Sequence, residues 1–377
     1  MLNNDLNIRS RVALFDVDAI DIDRFFVEPL SIKKSPDLII IENYSEYEKY
    51  RSTGIFYSGN IVCSSLLSVN RLSKLLSNHN IEILFINAHR IVDVHIILAA
   101  RLAGCKVVYI QHGMYVRFMK RSTGFFVKKL FKTCRYLFYA ADASKSIGDI
   151  RLLFSLFGIH VLGLDRQILS RYRQIFPDLS MVFSEYWKGW HIDNYAFPHD
   201  MPYLTIGSPD FRKFKFSDMN CNGVVIYCYQ TLIEDGRIDK KDMYKFYLEL
   251  HNFCNLHGFK CLIKSHPRGD SHNLNYLEHV LGFSILEGVL INPEYVIGHY
   301  SSLLAFWGIR GCKILCVKLP GHDIDSSISP WVNVYNSLDD VDFAKVVPAN
   351  RSKCENYYGP CKDETELLKN MFEFIEK

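Results

Sequence analysis

"EILFINAHRIVDVHIILAARLAGCKVVYI", residues 82–110, holds three segments whose order decides the fold. "EILFINAH" (82–89) carries a run of large apolar residues at 83–86 and reads as a strand. "RIVDVHIILAARLAG" (90–104) repeats its apolar residues at helical spacing and stops at Gly104, and "KVVYI" (106–110) is a second strand. Strands separated by a crossover helix pair in parallel. The apolar runs do not alternate with polar residues, so these strands are covered on both faces, as in a doubly wound α/β sheet.

The same rhythm continues in both directions. "LSMVFSEYWKGWHIDNYAFPHDMPYLTIGSPDF" (179–211) is a further strand–helix–strand unit running into "GSPD" (207–210). That stretch and "FRKFKFSDMNCNG" (211–223) read as a loop and place a hinge between two domains. Beyond it the pattern restarts. "GVVIYCYQ" (223–230) is a strand, "KKDMYKFYLELHNFCNLHG" (240–258) a helix closed by Gly258, and "KCLIKSHP" (260–267) the next strand. "FSILEG", "YVIGHYSS" and "KILCVKLP" add strands, with a short helix in "SSLLAFWGIRG". The expected class is α/β with the GT-B architecture, two Rossmann-like domains with a cleft between them. The expected domains are 1–215, an acceptor-binding half, and 216–377, a nucleotide-sugar-binding half.

Composition fits that plan and excludes others. A chain of 377 residues exceeds one ordinary core, and 49% apolar content with 14% aromatics suffices for two. A formal charge of +3 does not suit a nucleic-acid binder. No secretory leader opens the sequence and no run approaches 18 apolar residues. The eleven cysteines form no C-x-x-C pair, and Cys261 and Cys316 sit inside strand-like runs. Reduced thiols in a cytoplasmic protein are the expectation, with neither metal nor cofactor.

In an open parallel sheet, ligands bind beyond the carboxyl ends of the strands. Lys264 and His266 occupy such an end in "CLIKSHPRGD" (261–270), and Pro267 fixes the turn that follows. A cationic pair there suits a phosphate, although an isolated His-Pro also reads as a surface turn. In "GHYSSLLAFWG" (298–308) a strand ends at Gly298 and a helix starts near Ser301 and Ser302, which serve an anion or simply cap the helix. "YQTLIEDGRIDKKDM" (229–243) carries Glu234, Asp235 and Gly236; a carboxylate there accepts a proton from a hydroxyl or belongs to a polar turn. No P-loop or dinucleotide fingerprint occurs.

"EDG", "KSHP" and "GHYSS", in that order, resemble the motif series of bacterial sialyltransferases of GT-B fold, with lipooligosaccharide sialyltransferases and polysialyltransferases the most similar. The resemblance covers roughly residues 223–320 and implies Asp235 as general base, with His266, Ser301 and Ser302 on the CMP phosphate of the donor. A second resemblance competes. Gln111, His112 and Gly113 end a strand of the first half, and CDP-glycerol glycerophosphotransferases carry a His-Gly motif there and a Tyr-Ser-Ser motif like "HYSS". In them that histidine is the proposed base, so His112 and Asp235 are rival candidates. Transferases of Kdo, another CMP-activated sugar, stay open too.

Gln111, Trp187 and Trp190 are candidate acceptor contacts, the tryptophans by stacking on a sugar or else by packing in the core. "MKRSTGFFVKKLFKTCRYLFY" (119–139) mixes basic and apolar residues at helical spacing. An interfacial helix on an anionic inner leaflet looks like this, and so does a helix packed on its own domain with solvated lysines. The combined expectation is a cytoplasmic, metal-independent, inverting transferase of bacterial surface glycans. It takes a CMP-activated acidic sugar and a glycan or lipid-linked acceptor, touches the membrane peripherally through 119–139, and binds no nucleic acid. A CDP-glycerol-type transferase and a non-catalytic carbohydrate-binding scaffold are the alternatives.

Overall fold

A computed structural model describes residues 11–15, 36–53, 60–111, 123–208, 216–266 and 269–359, with 370, 371 and 373; side chains of 49–53, 123–132, 216, 218 and 219 are outside that description. The chain divides into two compact units, one of Met1–His112, Leu130–Pro209 and Gly359–Lys377 and one of Gly113–Lys129 and Asp210–Tyr358. The unit changes after Pro209, within a stretch (209–215) that lies outside the described residues and contains the boundary expected at 215. Gly359 groups with the first unit because its backbone abuts the Phe183 carbonyl, where a Cβ would collide.

In the first unit β1 (Val12–Phe15), β2 (Leu38–Ile41), β3 (Asn60–Cys63), β4 (Ile83–Ile86), β5 (Lys106–Ile110), β6 (Leu179–Val182) and β7 (Tyr203–Thr205) form a parallel sheet in the order β3-β2-β1-β4-β5-β6-β7. β1, β2, β4 and β6 are buried along their whole length. The helices are α1 (Tyr44–Thr53), α2 (Val69–Asn78), α3 (Ile91–Leu102), α4 (Thr123–Ile147, of which the part from Leu130 on groups with this unit), α5 (Ile150–Leu162) and α6 (Glu185–Tyr195). β4, α3 and β5 are the strand, helix and strand read from residues 82–110, and β4 pairs with β5 in parallel. α3 starts where Asp93 reaches back to the Arg90 backbone N–H at 2.6 Å, satisfying a donor that the first turn leaves free.

In the second unit β8 (Phe216–Cys228), β9 (Lys260–Lys264), β10 (Ser284–Ile285), β11 (Leu290–Gly298), β12 (Ile314–Val317) and β13 (Asn333–Tyr335) are parallel in the order β10-β9-β8-β11-β12-β13. The helices are α7 (Lys240–His257), α8 (Ser271–Asn275), α9 (Leu304–Ile309) and α10 (Arg351–Tyr358). Residues 216–222 are strand, not the loop expected of them, because β11 pairs with that segment from Leu290↔Phe216 onward and satisfies its backbone. Gly258, at φ 68°, ends α7 as expected, since the left-handed conformation is open to a residue without Cβ. Met243, Tyr247, Leu250 and Cys254 turn from α7 into the core with Ile226, Ile297 and Trp307. Each such fully buried side chain stabilises the unit by roughly 1.5–3 kcal/mol. Among the described residues no helix is long and apolar enough to cross a membrane, and none of their cysteines is in a disulfide.

Candidate functional site

The second sheet brings the separate motifs to one edge. Tyr227 lies level with Ile263 on one side and with Ile297 on the other, and Ile297 with Leu315. One residue further along, Cys228 faces Lys264 and Gly298 faces Cys316. All four strands are parallel, so the segments that follow them leave at the same edge. The chain runs from β8 outward through β9 and β10 and then returns to β11 on the other flank of β8. β8 and β11 thus flank the point where strand order reverses, the place where open α/β sheets bind ligands.

Hydrogen bonds tie the departing segments together. The Tyr229 N–H donates to the Lys264 carbonyl at 3.0 Å, joining the "YQTLIEDG" and "KSHP" segments. The Tyr300 N–H donates to the Gln230 side-chain oxygen at 3.0 Å, joining "YQTLIEDG" to "GHYSS" across the reversal point. Gly298 permits a close approach here, as a Cβ on it would lie 2.8 Å from the Leu304 side chain. Lys264, His266, Ser301 and Ser302 are all half-buried on this edge. The His266 carbonyl accepts the Gly269 N–H at 2.8 Å, which turns the chain back after the strand. Pro267 and His112 lie outside the described residues.

Ser301 and Ser302 sit one step earlier than expected. α9 begins at Leu304, and the Ser301 hydroxyl accepts the Leu303 N–H at 3.2 Å in the turn before it. Their neighbour His299 is a core residue. Its Nδ1 lies 2.7 Å from the Val317 carbonyl and its ring against Phe246, and burial lowers its pKa to about 4. It is a neutral donor that fixes β11 to β12.

The two carboxylates of "EDG" have different surroundings. One oxygen of Glu234 accepts three hydrogen bonds: from the Tyr229 hydroxyl at 2.5 Å, the Asp270 N–H at 3.0 Å and the Asn273 amide at 3.1 Å. Burial raises its pKa, but these donors outweigh that and hold the carboxyl below its ordinary value. Glu234 thus clamps the segment after His266 to the segment after β8. Asp235 is the more available group. It accepts the Thr231 hydroxyl at 3.3 Å and pairs with Arg237 at 3.4 Å, with 24% of its side chain exposed. The clamp partners Tyr229, Asp270 and Asn273, and the bridging Gln230, carry no motif of their own; only their nearness to "EDG" and "KSHP" marks them.

In the first unit the acceptor candidates divide. Gln111 is fully buried, and its side-chain oxygen accepts the Phe183 N–H at 2.9 Å, holding the end of β5 to β6. Trp187 is 0% exposed and packs edge-on against Tyr186 and Trp190, so its ring has no face left for a sugar. Both are structural where the sequence suggested binding, because their segments fold onto the sheet. Trp190 is half-buried among Trp187, His191 and Tyr195. The histidines at this end are core groups as well. His191 bonds Tyr109 and the Trp187 carbonyl, and burial lowers its pKa to about 4. Among the described residues, no three His, Cys, Asp or Glu side chains are grouped to hold a metal.

The sequence matches no protein-family model and no curated protein. Solved structures do resemble it. A UDP-GlcNAc 2-epimerase from Methanocaldococcus jannaschii, in complex with UDP-GlcNAc and UDP, is 9% identical with a TM-score of 0.50 over 96% of this chain and 99% of its own. A putative UDP-N-acetylglucosamine 2-epimerase from Listeria monocytogenes is 10% identical with a TM-score of 0.51 over 97% of both chains. The wall teichoic acid polymerase TagF is 11% identical with a TM-score of 0.45 over 97% of this chain and 88% of its own. At such identity the likeness is one of fold: the chain has the GT-B fold, built from two Rossmann-like domains. The resemblance to sialyltransferases rests on the sequence motifs alone.

Proposed function

We propose that the chain is an inverting, metal-independent glycosyltransferase that moves an acidic sugar, such as sialic acid or Kdo, from a CMP donor to a bacterial surface glycan. One observation carries the reading: the three motif segments leave one sheet edge at its reversal point and are hydrogen-bonded to each other through Gln230, Tyr229 and Lys264. In this reading Lys264, His266, Ser301 and Ser302 receive the donor phosphate, with Pro267 setting the turn. They stabilise the charge that develops as the bond from the anomeric carbon to the phosphate oxygen breaks. The acceptor hydroxyl oxygen forms the new bond and gives its proton to Asp235 or His112, and CMP departs with the electron pair. The N-terminal domain holds the acceptor, with Trp190 its remaining aromatic candidate. Peripheral contact through residues 119–139, at the inner face of the membrane, belongs to the same reading.

A CDP-glycerol-type transferase is the second reading, favoured by the "QHG" and "HYSS" segments. Thermal shift of the full chain with CMP, CDP, UDP and GDP, each with and without EDTA, tests both. A ligand at about 100 times its Kd stabilises by about 2.7 kcal/mol. The expected result is a CMP shift that EDTA leaves unchanged and that His266→Ala removes without lowering the melting temperature of the free protein. A larger shift with UDP than with either cytidine nucleotide overturns both readings.

A further inference from the structure

From Leu130 on, α4 forms a helical hairpin with α5 on the first unit. It is pinned at the turn by the Ser144 hydroxyl on the Asp149 carbonyl at 2.7 Å. Its far end is held by the Thr133 hydroxyl at 3.4 Å from His160, whose ring packs on Tyr136. The inner face of α5 is ordinary, with Leu152, Ser155 and Leu156 buried. Its outer face is not. Ile150 is 61% exposed, Phe154 67%, Val161 39% and Leu162 72%. Ile150, Phe154 and Val161, with half-buried Phe157, follow i, i+4, i+7, i+11 spacing and form one stripe along the helix. A water-facing helix carries polar residues there. Leu164, Ile168, Leu137 and Phe138 are exposed as well, so eight of the sixteen large apolar side chains exposed among the described residues fall between 137 and 168.

The described residues of the same region are basic. Residues 133–175 hold six Lys and Arg against three Asp and Glu, a net +3; the remaining residues hold 38 of each. An apolar stripe in a basic field suits an anionic bilayer, where apolar side chains enter the headgroup region and cations draw on lipid phosphates. A second copy of the chain suits it poorly, because a two-fold contact would set one basic face against another. We infer that the outer face of the α4–α5 hairpin docks on an anionic lipid surface, with Phe154, Ile150 and Leu162 inserted. The inference goes beyond a contact at 119–139, since the stripe lies on α5, and it holds whatever nucleotide the second unit binds.

Flotation of the full chain with vesicles tests it, using phosphatidylcholine alone or with about a third phosphatidylglycerol. The parent should float with the mixed vesicles, lose most of that binding in high salt, and stay behind with the neutral ones. Phe154→Glu with Leu162→Glu should weaken vesicle binding by about tenfold or more. Both positions face water, so the variant should keep the melting temperature and any nucleotide-induced shift of the parent. Lys145→Glu should weaken binding by a smaller factor. Equal flotation of parent and double variant overturns the inference, as does a parent that binds neither vesicle. A concentration-dependent dimer that the double variant abolishes overturns it in favour of a second copy.

Discussion

Removing the Glu234 carboxylate should loosen the candidate nucleotide site from behind. Its three donors come from Tyr229, at the end of β8, and from Asp270 and Asn273, in the segment after His266. A hydrogen bond to a charged group contributes about 1.5–3 kcal/mol. Bonds to one oxygen are not additive and water regains part of the loss, so about 3 kcal/mol is the expected cost of Glu234→Ala. At about 2–4 °C per kcal/mol for a unit of this size, the melting temperature should fall by about 6–12 °C. Glu234→Gln is the finer probe. The second carboxylate oxygen is buried with no hydrogen-bond partner among the described residues, so an amide places either its NH₂ there without acceptors or its NH₂ against the three donors. Either arrangement should cost about 1–2 kcal/mol. CMP affinity should fall in both variants, because the segment after His266 loses its anchor.

The effect should depend on pH in a defined direction. The Glu234 carboxyl titrates below its ordinary value of 4.5 when folded. Its stabilisation is therefore present above the unfolded value and is lost as pH falls through the lower, folded one. The gap in melting temperature between parent and Glu234→Gln should be widest near neutrality and close as pH drops below about 4. A Glu234→Ala protein that melts within about 1 °C of the parent and binds CMP equally well would refute the clamp.

The remaining expectations concern the base and the first unit. Asp235→Asn should cut turnover by about 10²- to 10⁴-fold and leave CMP affinity intact; a loss within about threefold assigns the base to His112, whose Ala variant is measured in parallel. Trp187→Ala should cost about 3–5 kcal/mol of stability by opening a cavity in the core. A Trp187→Ala protein of parental stability but weakened acceptor binding would restore that residue to the acceptor site.

Elements were legible where local pattern and tertiary demand agree. Residues 82–110 declare strand, helix and strand because burial on both faces needs unbroken Val, Ile and Leu, which the crossover helix then covers. Residues 216–222 mislead because Ser217, Asp218, Asn220 and Asn222 resemble a loop. What makes them strand is β11, seventy residues away, and that partner leaves no trace in the segment's own composition. Trp187 and Gln111 mislead in the opposite sense. Residue type gives a tryptophan beside polar neighbours two fates, and only the packing of α6 on the sheet selects the buried one.

The candidate site was legible for a different reason. Its motifs are two or three residues long and lie up to about seventy residues apart. Each follows a strand, and parallel strands paired in register must end together. Recognising three strand ends is then enough to bring Asp235, Lys264, His266, Ser301 and Ser302 to one edge before any contact is known. The strand order adds what the sequence withholds, namely that β8 and β11 are neighbours at the reversal. The Gln230–Tyr300 bond follows from that adjacency, as does the division of labour in "EDG". Glu234, level with the neighbouring segment, becomes a tie, and Asp235, one residue further on, beside Thr231 and Arg237 and 24% exposed, keeps an exposed face for a reacting proton.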